Sequence, residues 1–221
     1  MMNFYNDLIR KFPGELFFFH TPTNLRHAQN VAWLSVALAG PLGCPDQKIR
    51  QIYRGGRLHD IGKQSIPDKV LNKSGSLTPD EVKLLQKHPE MGYDFLARYS
   101  SDSVVLNMVL YHHEWWDGSG YPHGLKGEEI PLEARICAVA DVWDALITDR
   151  CYRSAWEKPK ALDMILAGMG SHYDPQVVME FVKLVEEGQM VRTPAVRPVG
   201  LDIIYQHAGR IPLAAEGLHM S

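Results

Sequence analysis

The chain has 221 residues and a formal net charge of −3 at pH 7. A charge so close to neutral gives no general attraction to duplex nucleic acid or to anionic membranes, so any phosphate-binding surface has to be local. Hydrophobic residues make up 45% and charged residues 22% of the chain, as in ordinary globular proteins, and the length suits one domain with short appendages.

Cysteine usage and the N-terminal sequence bear on the compartment. Cys44, Cys137 and Cys151 lie far apart and form no CxxC pair, which argues against a disulfide framework and against a structural zinc site. The first residues, MMNFYNDLIRKFPGELFFF, lack the apolar run and the small-residue cleavage site of a signal peptide. No stretch has the roughly 20 apolar residues that cross a bilayer. We therefore expect a cytoplasmic protein without a membrane span.

Apolar residues recur mostly at helical spacing. Thr21 and Pro22 predict the start of a first helix, LRHAQNVAWLSVALAG, that stops at Gly40. A second helix is predicted for residues 46–59, and Thr78 caps a long third helix. The third and later predicted helices have the sequences EVKLLQKHPEMGYDFLARY, SDSVVLNMVLYHHEWW, LEARICAVADVWDALITDR, KPKALDMILAGM and DPQVVMEFVKLVEEG. The pattern predicts an all-α helical bundle.

Two long stretches, residues 62–76 and 117–131, are rich in Gly, Pro, Ser and Asp and are predicted to be loops. Loops of this length in a compact domain are more often functional than not. For the domain organisation we expect an N-terminal segment over residues 1–20, one helical domain over 21–190, and a C-terminal appendage over 191–221 whose role the sequence does not assign.

Histidines and aspartates are distributed so that almost every predicted helix presents one metal-ligand type of residue or one adjacent pair. A single histidine of this kind is more often an ordinary partly buried residue, but two adjacent pairs among apolar helices make that explanation much weaker for the set. Helical bundles build metal sites from such inward-facing side chains. The residues concerned are His27, His59, Asp60, His88, His112, His113 and Asp141.

A donor set of this size exceeds what a single tetrahedral zinc ion uses. Mixed imidazole and carboxylate ligands suit two six-coordinate ions, and Asp60, next to His59, is the natural bridge between them. Two ions about 3.5–4 Å apart activate water and clamp the oxygens of an in-line phosphoryl displacement. The composition of the set therefore favours metal-assisted phosphoester hydrolysis, with an oxygen-activating di-iron site as the chemical alternative.

The motifs around these residues resemble those of HD-GYP phosphodiesterases, members of the HD superfamily of metal-dependent phosphohydrolases. The resemblance covers residues 27–181, in the order and spacing of that family. The motifs that carry it are HDIGKQSIPD at 59–68, KHPEMG at 87–92, HHEWWDGSGYPHG at 112–124, RICAVADVWDAL at 135–146 and DRCYR at 149–153. It implies a helical bundle of the HD-domain type, with a metal centre in its core and a long Gly/Pro loop near the site.

The resemblance also implies a function, a cofactor and a partner. It implies hydrolysis of a cyclic dinucleotide, cyclic di-GMP to pGpG or GMP, or cyclic GMP-AMP, by iron or manganese ions. A diguanylate cyclase or another signalling protein is a possible partner under this resemblance. A catalytically weak cyclic-dinucleotide receptor and an HD-superfamily phosphohydrolase acting on mononucleotides remain alternatives, of which the second is disfavoured by the long Gly-Tyr-Pro loop.

Carried over position by position, the resemblance assigns roles to particular residues. The metal ligands are the seven residues named above, with Asp60 also taking part in catalysis as the bridge. Lys63 contacts the scissile phosphate or its attacking water, where its charge stabilises the phosphoryl oxygens. The residues assigned to the substrate are Tyr121, through its hydroxyl; Gly118 and Gly120, which let backbone approach the ligand; and Arg150 and Arg153, which grip phosphate oxygens.

The chain departs from the family pattern at two positions in its first helix. Thr23 stands where many members carry a glutamate that contributes to a third metal, and a threonine hydroxyl is a poor substitute. We therefore expect two ions per chain rather than three. Asn30 stands where the family usually has arginine, which removes a positive charge near the ligands.

Overall fold

The structure, a computed structural model, describes residues 22–149 and 154–188. The predicted all-α architecture is confirmed for these residues, which contain no β-strand. The helices are α1 (Pro22–Ala39), α2 (Asp46–Leu58), α3 (Asp68–Leu71), α4 (Pro79–Leu85), α5 (His88–Ala97), α6 (Ser103–Tyr111), α7 (Leu132–Ile147), α8 (Lys158–Ala167) and α9 (Pro175–Glu186), with 3₁₀ turns at Ile61–Ser65 and Gly127–Glu129. The predicted segments 1–20 and 191–221 lie outside the described residues.

Helices α1, α2, α6 and α7 form the centre of the bundle. Helix α1 packs against α2 and α7, α2 against α6, and α6 against α5 and α7, while α8 and α9 cover the outer side of α7. The main core is apolar and includes the edge-to-face pair of Trp143 and Phe181, whose ring centroids are 5.0 Å apart. None of the helices in the described parts of the chain is long and apolar enough to span a bilayer.

The prediction of one long helix after Thr78 is wrong in one respect, because the structure has two helices here, α4 and α5. The start of α4 agrees with the prediction: Thr78 and Glu81 form a reciprocal capping box. The break comes at Pro89, which has no N–H to donate to the carbonyl of Leu85, four residues earlier. The Nδ1 atom of His88 donates to that carbonyl instead, at 2.7 Å. The break therefore gives His88 its orientation.

Other boundaries also differ from the prediction. Helix α6 ends at Tyr111 instead of continuing to Trp116, since the ring of His112 occupies the carbonyls of Met108 and Val109 at 3.1 and 3.0 Å. The stretch 62–76, predicted to be a loop, contains most of a 3₁₀ turn and the short helix α3. The stretch 117–131 has only one 3₁₀ turn and is a loop as predicted.

Candidate metal centre

The side chains predicted as ligands converge in the core of the bundle, with Asp60 at their centre. Asp60 belongs to two groups of potential ligand atoms, in each of which all the atoms lie within 4.8 Å of one another. One group joins Asp60 to His27 and His59, and the other joins it to His88, His112 and His113. Because α1, the end of α2, α5 and the end of α6 each contribute, the arrangement depends on the packing of the whole bundle.

The two carboxylate oxygens of Asp60 face different histidines. Oδ2 lies 3.4 Å from Nε2 of His59 and 3.9 Å from Nε2 of His27. Oδ1 lies 3.3 Å from Nε2 of His88 and 3.8 Å from Nε2 of His112. One oxygen for each group is the arrangement that a bridging carboxylate requires.

Asp141, on α7, completes the group on the Oδ2 side. Its Oδ1 atom lies 3.1 Å from Nε2 of His27 and 3.7 Å from Nε2 of His59. The structure therefore brings together all seven residues that the sequence nominates as ligands, three of them on one side of Asp60 and three on the other.

Three of the histidines are oriented by the carbonyl group three residues earlier. A carbonyl oxygen only accepts hydrogen bonds, so each Nδ1 must carry the hydrogen, and in a neutral ring Nε2 then presents a lone pair to the centre of the site. The pairs are His59 with Gly56 at 2.8 Å, His88 with Leu85 at 2.7 Å, and His112 with Val109 at 3.0 Å.

His27 is oriented by a carboxylate instead. Its Nδ1 atom lies 2.7 Å from Oδ2 of Asp144, a buried residue one turn after Asp141 on α7. The other oxygen of Asp144 accepts from the amide of Asn30 at 2.7 Å. The result is the same as for the other three rings, because Nε2 of His27 is left facing Asp60.

The arrangement of hydrogen-bond acceptors fits a bound cation. Oδ1 of Asp60 is buried and forms no hydrogen bond with the described residues. Nε2 of His88 and Nε2 of His112 are only 3.3 Å apart, although both Nδ1 atoms donate elsewhere. Buried acceptors that face one another without a donor are costly, and a divalent cation between them removes that cost. Imidazole and carboxylate are also the donors that such ions prefer.

Burial and neighbouring charges shift the pKa values of several candidate ligands. Burial lowers the pKa of His112 to about 4, so the ring is neutral at pH 7. Burial would raise the pKa of Asp60, but the neighbouring Lys63 and His59 outweigh it and hold this pKa well below its usual value. Burial would lower the pKa of His59, but Asp60 and Asp141 outweigh it and raise this pKa to about 10. In the metal-free protein, positive charge on His59 and Lys63 therefore offsets the carboxylates.

Lys63 lies at the edge of the cluster, with its Nζ atom 2.6 Å from Oδ2 of Asp60. The 3₁₀ turn that carries it packs directly on α5. A Cβ atom at Gly62 would lie only 1.9 Å from the carbonyl oxygen of His88 and 2.6 Å from the backbone nitrogen of Gly92. Only glycine permits this approach, which places the lysine beside the ligands.

Tyr121 lies beside the cluster as well. Its ring stacks on His113 with centroids 4.9 Å apart and an interplanar angle of 27°. Burial raises the pKa of Tyr121, and the carboxylates of Asp60 and Asp141 raise it further, so the hydroxyl keeps its proton at neutral pH. A protonated hydroxyl in this position is available as a hydrogen-bond donor.

The backbone of the chain itself explains why residues 118 and 120, before Tyr121, are glycines. Gly118 has a φ of +87°, which strongly favours glycine. A Cβ atom at Gly120 would lie 2.2 Å from the backbone nitrogen of Trp115 and 2.6 Å from the carbonyl oxygen of His113. Close approach to a ligand, the role expected from the sequence, stays a prediction for both. Arg150 and Arg153 lie outside the described residues.

Two buried carboxylates were missed by the sequence reasoning. Asp144 orients His27, and Glu114, which directly follows the paired histidines, accepts hydrogen bonds from the loop that carries Tyr121. A signal existed for Asp144, because it lies three residues after Asp141 and so falls on the same helix face. For Glu114 the sequence offered only its adjacency to His113.

The chain has recognisable relatives among known proteins. The family model described as HD domain matches residues 14–177. A protein of Thermotoga maritima named cyclic di-GMP phosphodiesterase is 42% identical over 164 residues, which are 73% of this chain and 45% of that protein. A Vibrio cholerae protein named 3'3'-cGAMP-specific phosphodiesterase 2 is 39% identical over 154 residues, 69% of this chain and 30% of that protein. This chain thus spans less than half the length of either relative.

Among solved structures, the Bdellovibrio bacteriovorus protein described as an HDG"Y"P protein superposes with a TM-score of 0.59 and 26% identity. The match covers 72% of this chain and 51% of that chain. Since the HD domain model matches well over half of the sequence and the ligand side chains converge in one buried cluster, the chain belongs to the HD domain family.

Proposed function

We propose that this chain is a metal-dependent phosphodiesterase that hydrolyses a cyclic dinucleotide, namely cyclic di-GMP to pGpG or GMP, with cyclic GMP-AMP as the other candidate substrate. The single observation that carries the proposal is the position of Asp60, whose two oxygens face two separate groups of histidines. A carboxylate shared in this way suits a centre of two ions, which is well matched to phosphodiester hydrolysis. The names of the two relatives support the substrate class.

The centre would be formed by two divalent ions, iron or manganese. His27, His59 and Asp141 would hold one of them, His88, His112 and His113 the other, and Asp60 would bridge both. When bound, the ions would supply a nucleophilic water at neutral pH and Lewis-acid stabilisation of the phosphoryl oxygens. The expectation of two ions rather than three comes from Thr23, whose side chain lies outside the described part of the structure.

The other residues of the site would act on the phosphate itself. Lys63, whose Nζ atom lies 2.6 Å from Oδ2 of Asp60, would place its positive charge beside the bound phosphate and stabilise the negative charge that develops on the phosphoryl oxygens. Tyr121, whose ring lies over His113, would donate its hydroxyl hydrogen to a phosphate oxygen. Arg150 and Arg153 are proposed to bind phosphate oxygens on the sequence alone.

We also propose a cytoplasmic location, since Cys44 and Cys137 are free thiols and Cys137 is buried in the core. A diguanylate cyclase or another signalling protein is the proposed macromolecular partner, on the resemblance alone. Neither point bears on the chemistry of the metal centre.

The function is tested by purifying the protein without oxygen, measuring iron and manganese per chain, and following cyclic di-GMP and cyclic GMP-AMP by chromatography. We expect conversion of at least one of them to a linear product, and no conversion by an Asp60→Ala variant. If wild-type protein with bound metal binds cyclic di-GMP but converts neither compound, the protein is a receptor and the proposed enzymatic function is wrong.

A further inference from the structure

The carboxylate of Glu114 is buried and has no cationic partner among the described residues; its hydrogen-bond partners are backbone N–H groups of the loop that follows it. Oε1 accepts from the backbone of His123 at 2.7 Å and of Gly124 at 3.1 Å, and Oε2 accepts from Leu125 at 3.0 Å. Glu114 is only 2% exposed. Three consecutive N–H groups thus converge on a single side chain.

Consecutive backbone N–H groups that converge in this way form a small anion-binding site, often called a nest. The nest is made possible by Gly124, whose φ of +68° turns the backbone into the left-handed region. Hydrogen bonds to a charged acceptor are about twice as strong as those between neutral groups. The nest therefore accounts for the burial of this carboxylate without a counter-ion.

The loop is attached to the segment that carries His113 at two further points. The backbone nitrogen of Tyr121 donates to the carbonyl of His113 at 3.1 Å. Gly120 lies directly against the backbone of Glu114 and Trp115, where a side chain would collide. The loop therefore crosses the backbone just after the paired histidines, and Glu114 holds the part that comes after Tyr121.

We infer that Glu114 is a positioning residue. Its carboxylate accepts hydrogen bonds from the backbone of residues 123–125 and thereby fixes Tyr121 over the metal centre. Tyr121 is held on its N-terminal side by Gly120 and by its own N–H group. On its C-terminal side, the first hydrogen bonds among the described contacts are those to Glu114, and the next one to the segment after His113 joins Gly127 to the carbonyl of Trp116 at 2.9 Å. The substrate role of Tyr121 rests on the proposed function, whereas the contact between Glu114 and the loop does not.

The informative substitution is Glu114→Gln, which keeps the size of the side chain. An amide can accept through one atom only, and its NH₂ group would face a backbone N–H where a carboxylate oxygen now accepts. Glu133→Gln is the matched control. Glu133 is also a buried carboxylate, 4% exposed, but it pairs with the side chains of Asn107 and Lys48 instead of with backbone N–H groups of the loop.

Three measurements test the inference in metal-loaded protein. In Glu114→Gln, amide hydrogen exchange of residues 123–125 should be faster by about ten- to a hundredfold, the loss expected for a hydrogen bond to a charged group. Metal content should remain that of the wild type, while kcat/KM for the cyclic dinucleotide falls by about the same factor. Glu133→Gln should leave the exchange of these amides and kcat/KM unchanged. Unchanged exchange at residues 123–125 in Glu114→Gln would overturn the inference.

A double-mutant cycle with Tyr121→Phe separates positioning from a general loss of stability. If Glu114 acts through Tyr121, the combined variant should lose little more kcat/KM than the more damaging single variant. Effects that multiply independently would show that Glu114 does not act through Tyr121. If the wild type hydrolyses no cyclic dinucleotide, the proposed function fails, but amide exchange still decides whether Glu114 holds the loop.

Discussion

The Nδ1 atom of His27 and the Oδ2 atom of Asp144 are 2.7 Å apart, and this contact connects the first helix to the seventh at the metal centre. Asn30 completes the arrangement by donating to the second oxygen of the same carboxylate. A neutral amide stands here in place of the arginine that the family pattern leads one to expect. It donates a hydrogen bond to Asp144 without bringing a positive charge to this part of the site.

Asp144→Ala should weaken metal binding although Asp144 is not itself a ligand. Residues that orient a ligating histidine typically contribute about ten- to a hundredfold in metal affinity. We expect a loss of this size for the ion held by His27, His59 and Asp141, measured by competition with chelators of graded strength. Glu133→Gln serves as the control for removal of a buried carboxylate elsewhere, and wild-type affinity in Asp144→Ala would show that His27 needs no such support.

Asp60→Ala should lose both ions together, because its two oxygens face both groups of histidines. His88→Ala should be milder, since His88 faces only Oδ1 and belongs to one group. Metal analysis of the two purified variants distinguishes them: close to no metal in the first and about one ion in the second. Full metal content in Asp60→Ala would mean that Asp60 is not the bridge.

Lys63→Met should slow hydrolysis more than Tyr121→Phe. Tyr121→Phe removes one hydrogen bond to a charged group, worth about ten- to a hundredfold in kcat/KM, and should leave both ions in place. Lys63→Met removes a full charge beside the phosphoryl group and also the 2.6 Å partner of Asp60. Lys69→Met, at an exposed lysine of α3, should have no effect. If neither Lys63→Met nor Tyr121→Phe slows cleavage, neither side chain acts on the phosphate.

Removal of the metal should lower the melting temperature. Ligands that bind only the folded state stabilise it by an amount that rises with the logarithm of their free concentration above Kd. Here the ions would also separate buried acceptors that otherwise face one another. Thermal unfolding with and without chelator measures this shift. Asp60→Ala provides the control, because a variant that binds no metal should show no response to chelator; an equal response would point to metal bound elsewhere.

The convergence of the predicted ligands could be anticipated from the sequence, because they occur in short motifs within or next to predicted helices that pack together in a bundle. The helix ends were less predictable. The division at Pro89 arises because proline has no N–H for the carbonyl of Leu85, which His88 takes instead. The end of α6 after Tyr111 arises because the ring of His112 occupies the carbonyls of Met108 and Val109. Proline in the middle of a helical pattern was a usable signal for the first division, but nothing local indicated the second.

The residues that support the ligands were harder to predict, because their roles depend on contacts between distant parts of the chain. Asp144 meets His27 across 117 positions of sequence. Glu114 acts through three backbone N–H groups, which have no side-chain signature, and only the left-handed Gly124 hints at the nest. Close contacts between backbone segments also leave no signature in the sequence. The approach of Gly62 to the backbone of His88 is therefore visible only in the structure.

The expectation of two ions can also be tested by adding a ligand at Thr23, because many HD-GYP phosphodiesterases carry a glutamate at this position. Thr23→Glu should raise the metal content by about one ion per chain, since a carboxylate is a far better ligand for such ions than a threonine hydroxyl. Thr23→Gln is the matched control and should leave the metal content unchanged. An unaltered metal content in Thr23→Glu would show that this position does not face a metal site.

The most direct test of the two-ion centre is anomalous diffraction at the iron and manganese edges from crystals of the metal-loaded protein. We predict two peaks on opposite sides of the Asp60 carboxylate, one beside His27 and His59 and the other beside His88 and His112. A single peak, or two peaks that do not share Asp60, would contradict the bridged centre on which the proposed chemistry depends.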